Sequence, residues 1–287
     1  MSAFTCNPLH PLFGAEVEGI DLRTATDGSL ATNIEAAMDD FAVLVFRDQV
    51  LNESEQMAFT RTLGPIDMGL LQVLQAKSRF KEAGMIDISN VDHERRVRKR
   101  DDPKLVAMLA NQLWHSDSSF KKPSAKYSLL LACVVTENGG ETEFADMRAA
   151  YDALSDGQVA EIETLVAEHS AFHSRAQLDD SQYTEEERAL YPPVQWPVVR
   201  EHPGSKRKVL YIGVHAERIL DRAVSEGRLL LAELLEHATQ PDFVYRHNWR
   251  PGDLVIWDNR AVLHRGRRYD LSQPRELRRS TVEDIKR

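Results

Sequence analysis

Residues 243–266 read FVYRHNWRPGDLVIWDNRAVLHRG. Within them the segments 243–249, 254–258 and 261–265 are rich in aromatic and β-branched residues, and Pro251-Gly252-Asp253 is a turn between the first two. A further strand is predicted over 277–283. Moving outward, an amphipathic helix is predicted at 225–239, preceded by strands at 194–201 and 208–213. The middle of the chain predicts strands at 127–135 and 142–146, a short one around 114–120, and helices at 148–155 and 157–168. Near the start, strands fall at 14–22 and 42–46, with a helix at 29–40 between them. Asn52 and Glu55 form a capping-box pattern opening a helix that runs to about Leu63, before Gly64-Pro65 ends it. Residues 85–91 alternate as a strand, 68–84 are ambiguous, and the polar segment 176–193 looks like an insertion.

Many short strands that do not alternate regularly with helices argue against a parallel doubly wound sheet. The class expected is α+β. Its core would be a jelly-roll, cupin-like double-stranded β-helix with surrounding helices and insertions. No repeat and no long linker divides the chain, so residues 1–287 are read as a single domain.

Trp114-His115-Ser116-Asp117-Ser118-Ser119-Phe120 places an imidazole and a carboxylate two residues apart. In extended backbone both would point to one face. A second imidazole from elsewhere would complete a 2-His-1-carboxylate set, which holds Fe(II) and leaves positions open. His264, 147 residues after Asp117, is the candidate. Read singly, His-x-Asp arises by chance, and His264 is a strand histidine bonded to backbone.

The residues after His264 shift that balance. Arg260, Arg265, Arg267, Arg268, Arg275, Arg278 and Arg279 crowd one region of a chain whose net charge is −9. In a strand Arg275 and Arg279 share a face, and guanidinium forks clasp carboxylates. Thr142, after Gly139-Gly140-Glu141, is placed to add a hydroxyl. The glycine pair permits a tight turn or a close backbone approach.

Hydrophobic residues make up 42% and charged residues 28%, the balance of an ordinary globular protein. The acidic net charge argues against a nucleic-acid coat. Cys6 and Cys133 follow no ligand spacing, and Cys133 lies in an apolar run, as a core residue would. The run Leu129–Val135 is too short to span a bilayer. The first residues lack the basic and apolar regions of a signal peptide. A cytoplasmic protein with no nucleic-acid or membrane partner is expected, and a homo-oligomer remains open.

WHSDSSF, GGETEFADMRAAYDAL at 139–154, WDNRAVLHRG at 257–266 and the pair Arg275 and Arg279 together resemble the taurine dioxygenase family of Fe(II)- and 2-oxoglutarate-dependent dioxygenases. Within it they are most similar to the 2,4-dichlorophenoxyacetate branch. NPLHPLFGAEVEGIDLR and AELLEHATQPDFVYRHNW extend the likeness over nearly the whole chain. The resemblance implies iron ligation by His115, Asp117 and His264. It implies 2-oxoglutarate binding by Thr142 and Arg275, with Arg275 on the distal carboxylate. It also implies contact of Arg279 with a small anionic substrate, and O2 as co-reactant. Asn111, His202 and His215 are further substrate-side candidates, equally readable as ordinary hydrogen-bonded polar residues. The implied reaction hydroxylates the carbon next to the ether oxygen of an aryloxyalkanoate, releasing a phenol and glyoxylate. Rival readings are the same chemistry on a sulfonate such as taurine, a zinc hydrolase on the same three residues, and a cupin-like binding protein without turnover.

Overall fold

The computed structural model describes residues 4–24, 28–69, 79–179 and 183–285. Its main layer is a seven-stranded sheet that joins both ends of the chain to strands from its middle. The strands are β1 (Thr5–Pro8), β2 (Ala15–Glu18), β3 (Val43–Phe46), β4 (Ile86–Ser89), β5 (Ala125–Val134), β13 (Leu254–Asp258) and β15 (Glu276–Glu283), in the order β1-β2-β3-β13-β5-β15-β4. The strand Leu254–Asp258, apolar up to its last residue, is buried along its whole length, as a strand covered on both faces is. It pairs Leu254 with Phe46 on one side and with Leu131 on the other.

Three smaller sheets complete the strands. One holds β6 (Thr142–Asp146) between β12 (Val244–His247) and β14 (Val262–Gly266). A second holds β7 (Val166–His169) between β8 (Val194–Pro197) and β11 (Ala216–Ile219), and β9 (Val199–Glu201) pairs with β10 (Lys208–Leu210). The helices are α1 (Gly28–Phe41), α2 (Glu53–Leu63), α3 (Pro103–Met108), α4 (Met147–Asp152), α5 (Asp156–Ile162), α6 (His173–Ala176), α7 (Glu185–Leu190) and α8 (Val224–Ala238). Helix α2 opens on the capping box expected at Asn52 and Glu55. Ile34 and Met38 of α1 pack with Phe59 of α2 onto Leu44, Leu129 and Ile256. Leu231 and Leu234 of α8 pack with Ile212, Ile219 and Leu263.

The α+β class holds, but the expected jelly-roll, cupin-like double-stranded β-helix does not. No sheet closes on itself: β1 and β4 are the two edges of an open main sheet, and β2 and β3 run parallel within it. The strands are spread over four separate sheets. Local alternation marks a segment as a strand; it carries nothing about which segment it pairs with, and closure is a property of pairing.

Three local expectations also change. Helix α5 ends at Ile162, and Val166–His169, expected to continue it, pairs with β8 and β11. The 114–120 segment makes only a single bridge, His115 to His264, before turning with Ser118 at φ 53°. Cys133 is exposed. Residues 70–78, most of the ambiguous stretch 68–84, lie outside the described residues. Among the described residues no helix is long and apolar enough to cross a membrane.

Candidate metal centre

The bridge between His115 and His264 brings the site together. Each residue's backbone N–H donates to the other's carbonyl, at 3.0 and 2.8 Å. This lays Trp114-His115 along β14 and sets the two imidazoles 4.1 Å apart, centre to centre. Asp117 arrives through the turn that follows, its backbone N–H donating to Asn259 Oδ1 at 3.0 Å. Convergence therefore comes from a bridge and a turn, not from strand alternation.

His115 Nε2 lies 3.9 Å from Asp117 Oδ1, and His264 Nε2 lies 3.7 Å from Asp117 Oδ2. One ligand atom of each residue lies within 4.8 Å of the others, all three residues are buried, and this is the single such cluster among the described residues. The donor set fits Fe(II). His115 Nδ1 sits 2.7 Å from the Leu113 carbonyl. A carbonyl can only accept, so the proton is on Nδ1 and the Nε2 lone pair faces Asp117. Burial holds His115 below the usual imidazole value, and burial with the neighbouring His115 holds His264 well below it. Both are thus neutral ligands at pH 7. Burial pushes Asp117 up, but the Arg279 guanidinium, together with the Ser128 hydroxyl that donates to it, outweighs burial and holds the carboxyl far below its usual range. Arg279 Nη1 donates to Asp117 Oδ1 at 2.6 Å.

Two cavities meet at this cluster. One, of about 320 Å³, is lined by Asp117, His215, Phe120, Met108 and Val214. The other, of about 420 Å³, is lined by His264, Thr142, Trp257, Tyr269 and Arg275. His115, Arg279, Asn111, Met108 and Ile88 line both. In the second cavity Arg275 is buried, lies 5.0 Å over the Tyr269 ring and donates to the Gly140 carbonyl at 2.8 Å. Gly140 has φ 76°, and a Cβ there would stand 2.8 Å from Arg275 Nε, so the glycine makes room for the guanidinium. No carboxylate stands within salt-bridge distance of Arg275 among the described residues, and burial lowers it to about 10. Thr142 Oγ1 accepts from Trp249 Nε1 at 3.0 Å.

The remaining candidates separate. His215 packs 4.9 Å from Phe120 in the first cavity, with Nδ1 unpartnered. His202 is elsewhere: it is buried against Asp258, Nε2 to Oδ2 3.0 Å, with Nδ1 accepting from Ser205. Sequence reasoning missed Trp249, Ser128 and Asn259. Ser128 carried a signal, as a lone hydroxyl in the apolar strand KYSLLL.

Model of the taurine catabolism dioxygenase TauD, TfdA family matches residues 5–281. The chain belongs to this family. It is 57% identical over 278 residues, 97% of each chain, to the alpha-ketoglutarate-dependent 2,4-dichlorophenoxyacetate dioxygenase of Cupriavidus pinatubonensis. It is 54% identical over 274 residues, 96% of this chain and 92% of the other, to a protein of the same name from a Burkholderia species. Among solved structures, that of AAD-2 in complex with Mn(II) and N-oxalylglycine matches with a TM-score of 0.93 at 46% identity, covering 98% of both chains. Family and triad together make this protein an Fe(II)- and 2-oxoglutarate-dependent dioxygenase, an oxidoreductase, and set aside the hydrolase and binding-protein readings.

A pH effect on stability follows from the buried imidazoles. Burial lowers His169 and His215 to about 3 from an ordinary 6.5. Between those values the unfolded chain binds protons that the folded chain refuses. Stability is therefore full above about pH 6.5 and falls with decreasing pH, by up to about 1.4 kcal/mol per pH unit for each such histidine. Denaturant midpoints at about pH 7 and about pH 5 should differ, the acidic one being lower. Equal midpoints would mean these rings do charge in the folded state.

Proposed function

We propose that this dioxygenase acts on aryloxyalkanoates such as 2,4-dichlorophenoxyacetate, hydroxylating the carbon between ether oxygen and carboxylate. The reading is supported by one arrangement above all: the triad stands between a cavity that ends on a buried, carboxylate-free guanidinium and a cavity with apolar walls that Arg279 enters. The names of the Cupriavidus and Burkholderia relatives point the same way.

In this reading His115, Asp117 and His264 hold the iron. With 2-oxoglutarate and O2 it supplies the oxidising equivalent, the cosubstrate leaving as succinate and CO2. Arg275 meets the distal carboxylate of 2-oxoglutarate, which supplies the anion that a buried cation requires. Thr142 already accepts an N–H from Trp249, so its own proton is free for the same carboxylate. Arg279 anchors the carboxylate of the substrate and so fixes which carbon faces the metal. Phe120, Met108 and Val214 offer apolar surface to the ring, and Asn111 and His215 are the polar groups beside it. Hydroxylation of the methylene gives a hemiacetal, which collapses to a phenol and glyoxylate.

The test is anaerobic loading with Fe(II) and 2-oxoglutarate, then O2 with a panel of anions. Aryloxyacetates should yield phenol and succinate in near-equal amounts. Release of sulfite from taurine, with no phenol from any aryloxyacetate, would overturn the substrate assignment.

A further inference from the structure

Asp117 is held from behind by a buried chain of hydrogen bonds. Trp257 Nε1 donates to Asn259 Oδ1 at 3.0 Å, Asn259 Nδ2 donates to Ser128 Oγ at 2.9 Å, and Ser128 Oγ donates to Asp117 Oδ2 at 2.7 Å. Ser128, Asn259 and Trp257 are all at most 1% exposed. The register of the main sheet sets them together, because β13 pairs Trp257 with Ser128 of β5 and Asn259 follows directly on β13.

The direction of the chain is determined. Asn259 Oδ1 receives two N–H groups, from Trp257 and from the Asp117 backbone, so it can only be the amide oxygen. The amide nitrogen then faces Ser128. Ser128 has one proton, its oxygen already accepts from Asn259, and a carboxylate can only accept, so that proton goes to Asp117. Asn259 also accepts from Ser116 Oγ through its backbone carbonyl at 2.7 Å, so it holds both Asp117 and the residue just before it.

We infer that Ser128 and Asn259 are positioning residues for the metal carboxylate. Asn259 aims the Ser128 hydroxyl, and that hydroxyl fixes the rotation of the Asp117 carboxylate before an ion arrives. Losing an outer partner of a metal ligand typically weakens binding by about 10–100-fold.

This rests on Asp117 being an iron ligand, and the experiment separates the two. Mn(II) affinity is measured by the EPR signal of the free ion, beside the thermal midpoint, for wild type, H264A, S128A and T60V. Thr60 is a buried hydroxyl that donates to Gln56 O at 2.7 Å and lies 2.8 Å from Ser280 Oγ; it lines neither cavity and its partners hydrogen-bond neither Asp117, Ser128 nor Asn259, so T60V controls for a generic loss of a buried hydrogen bond. Ser128→Ala should weaken Mn(II) binding by about 10–100-fold while T60V stays within about twofold. S128C keeps the volume and substitutes a weak donor, so it should fall between wild type and S128A, and it decides the matter if S128A does not fold. Undiminished Mn(II) affinity in folded S128A or S128C, with H264A impaired, overturns the positioning role. Undiminished affinity in H264A would instead overturn the metal-ligand reading beneath it.

Discussion

His264→Ala is expected to abolish turnover and to weaken Fe(II) or Mn(II) binding by well over the roughly 100-fold that marks the loss of an outer-shell partner. Two donors would remain where three are needed to hold the ion on one side. The fold should survive, because His264 joins β14 to His115 through backbone groups that alanine also carries. The removed ring leaves a void against Trp257, 4.6 Å away, and His115, so some stability is lost. That loss is partly offset, since the imidazole itself is buried with Nδ1 unpartnered. Metal titration and circular dichroism on the same sample read both effects. Near-normal metal affinity in the folded variant would remove His264 from the site.

The triad could be read in the sequence because the chemistry of an open ferrous site restricts its ligands to a few residue types, and here two of them stand in one short motif. Strands β6 and β13 were legible to the residue: the apolar run 254–257 follows directly on the Pro251-Gly252-Asp253 turn, and the short strand Thr142–Asp146 starts just past the Gly139-Gly140 pair. What was not legible is what depends on distant partners. Val166–His169 extends a helical pattern, and only pairing with β8 and β11 makes it a strand. His202 and His215 look alike in sequence; one faces Asp258 and the other a cavity, a difference set by segments far away. Ser128 and Asn259 are 131 residues apart and belong to one hydrogen-bonded chain that no spacing announces. Closure of the sheets failed for the same reason: the strands were countable, their neighbours were not.

Arg275→Ala is expected to raise the KM for 2-oxoglutarate far more than Arg279→Ala does, with the opposite ranking for the aryloxyacetate. Arg275 is buried in the lining of the second cavity, which Asp117 does not line, and among the described residues the Gly140 carbonyl is the one hydrogen-bonded protein partner of its guanidinium. Truncating one side of a buried charge pair costs about 2–5 kcal/mol. At about 1.4 kcal/mol per decade that is roughly a 30- to several-thousand-fold increase in KM. Lysine at 275 should recover only part of it, since a point charge replaces a planar fork in a space shaped by Gly140. Arg279 differs in its surroundings: it pairs with Asp117 and lines both cavities, so its removal also disturbs the metal ligand. The comparison is therefore made at saturating Fe(II), with each KM measured while the other ligand saturates. Equal changes in both constants for both variants would mean that the two arginines share one anion, and the division between a cosubstrate cavity and a substrate cavity would fall.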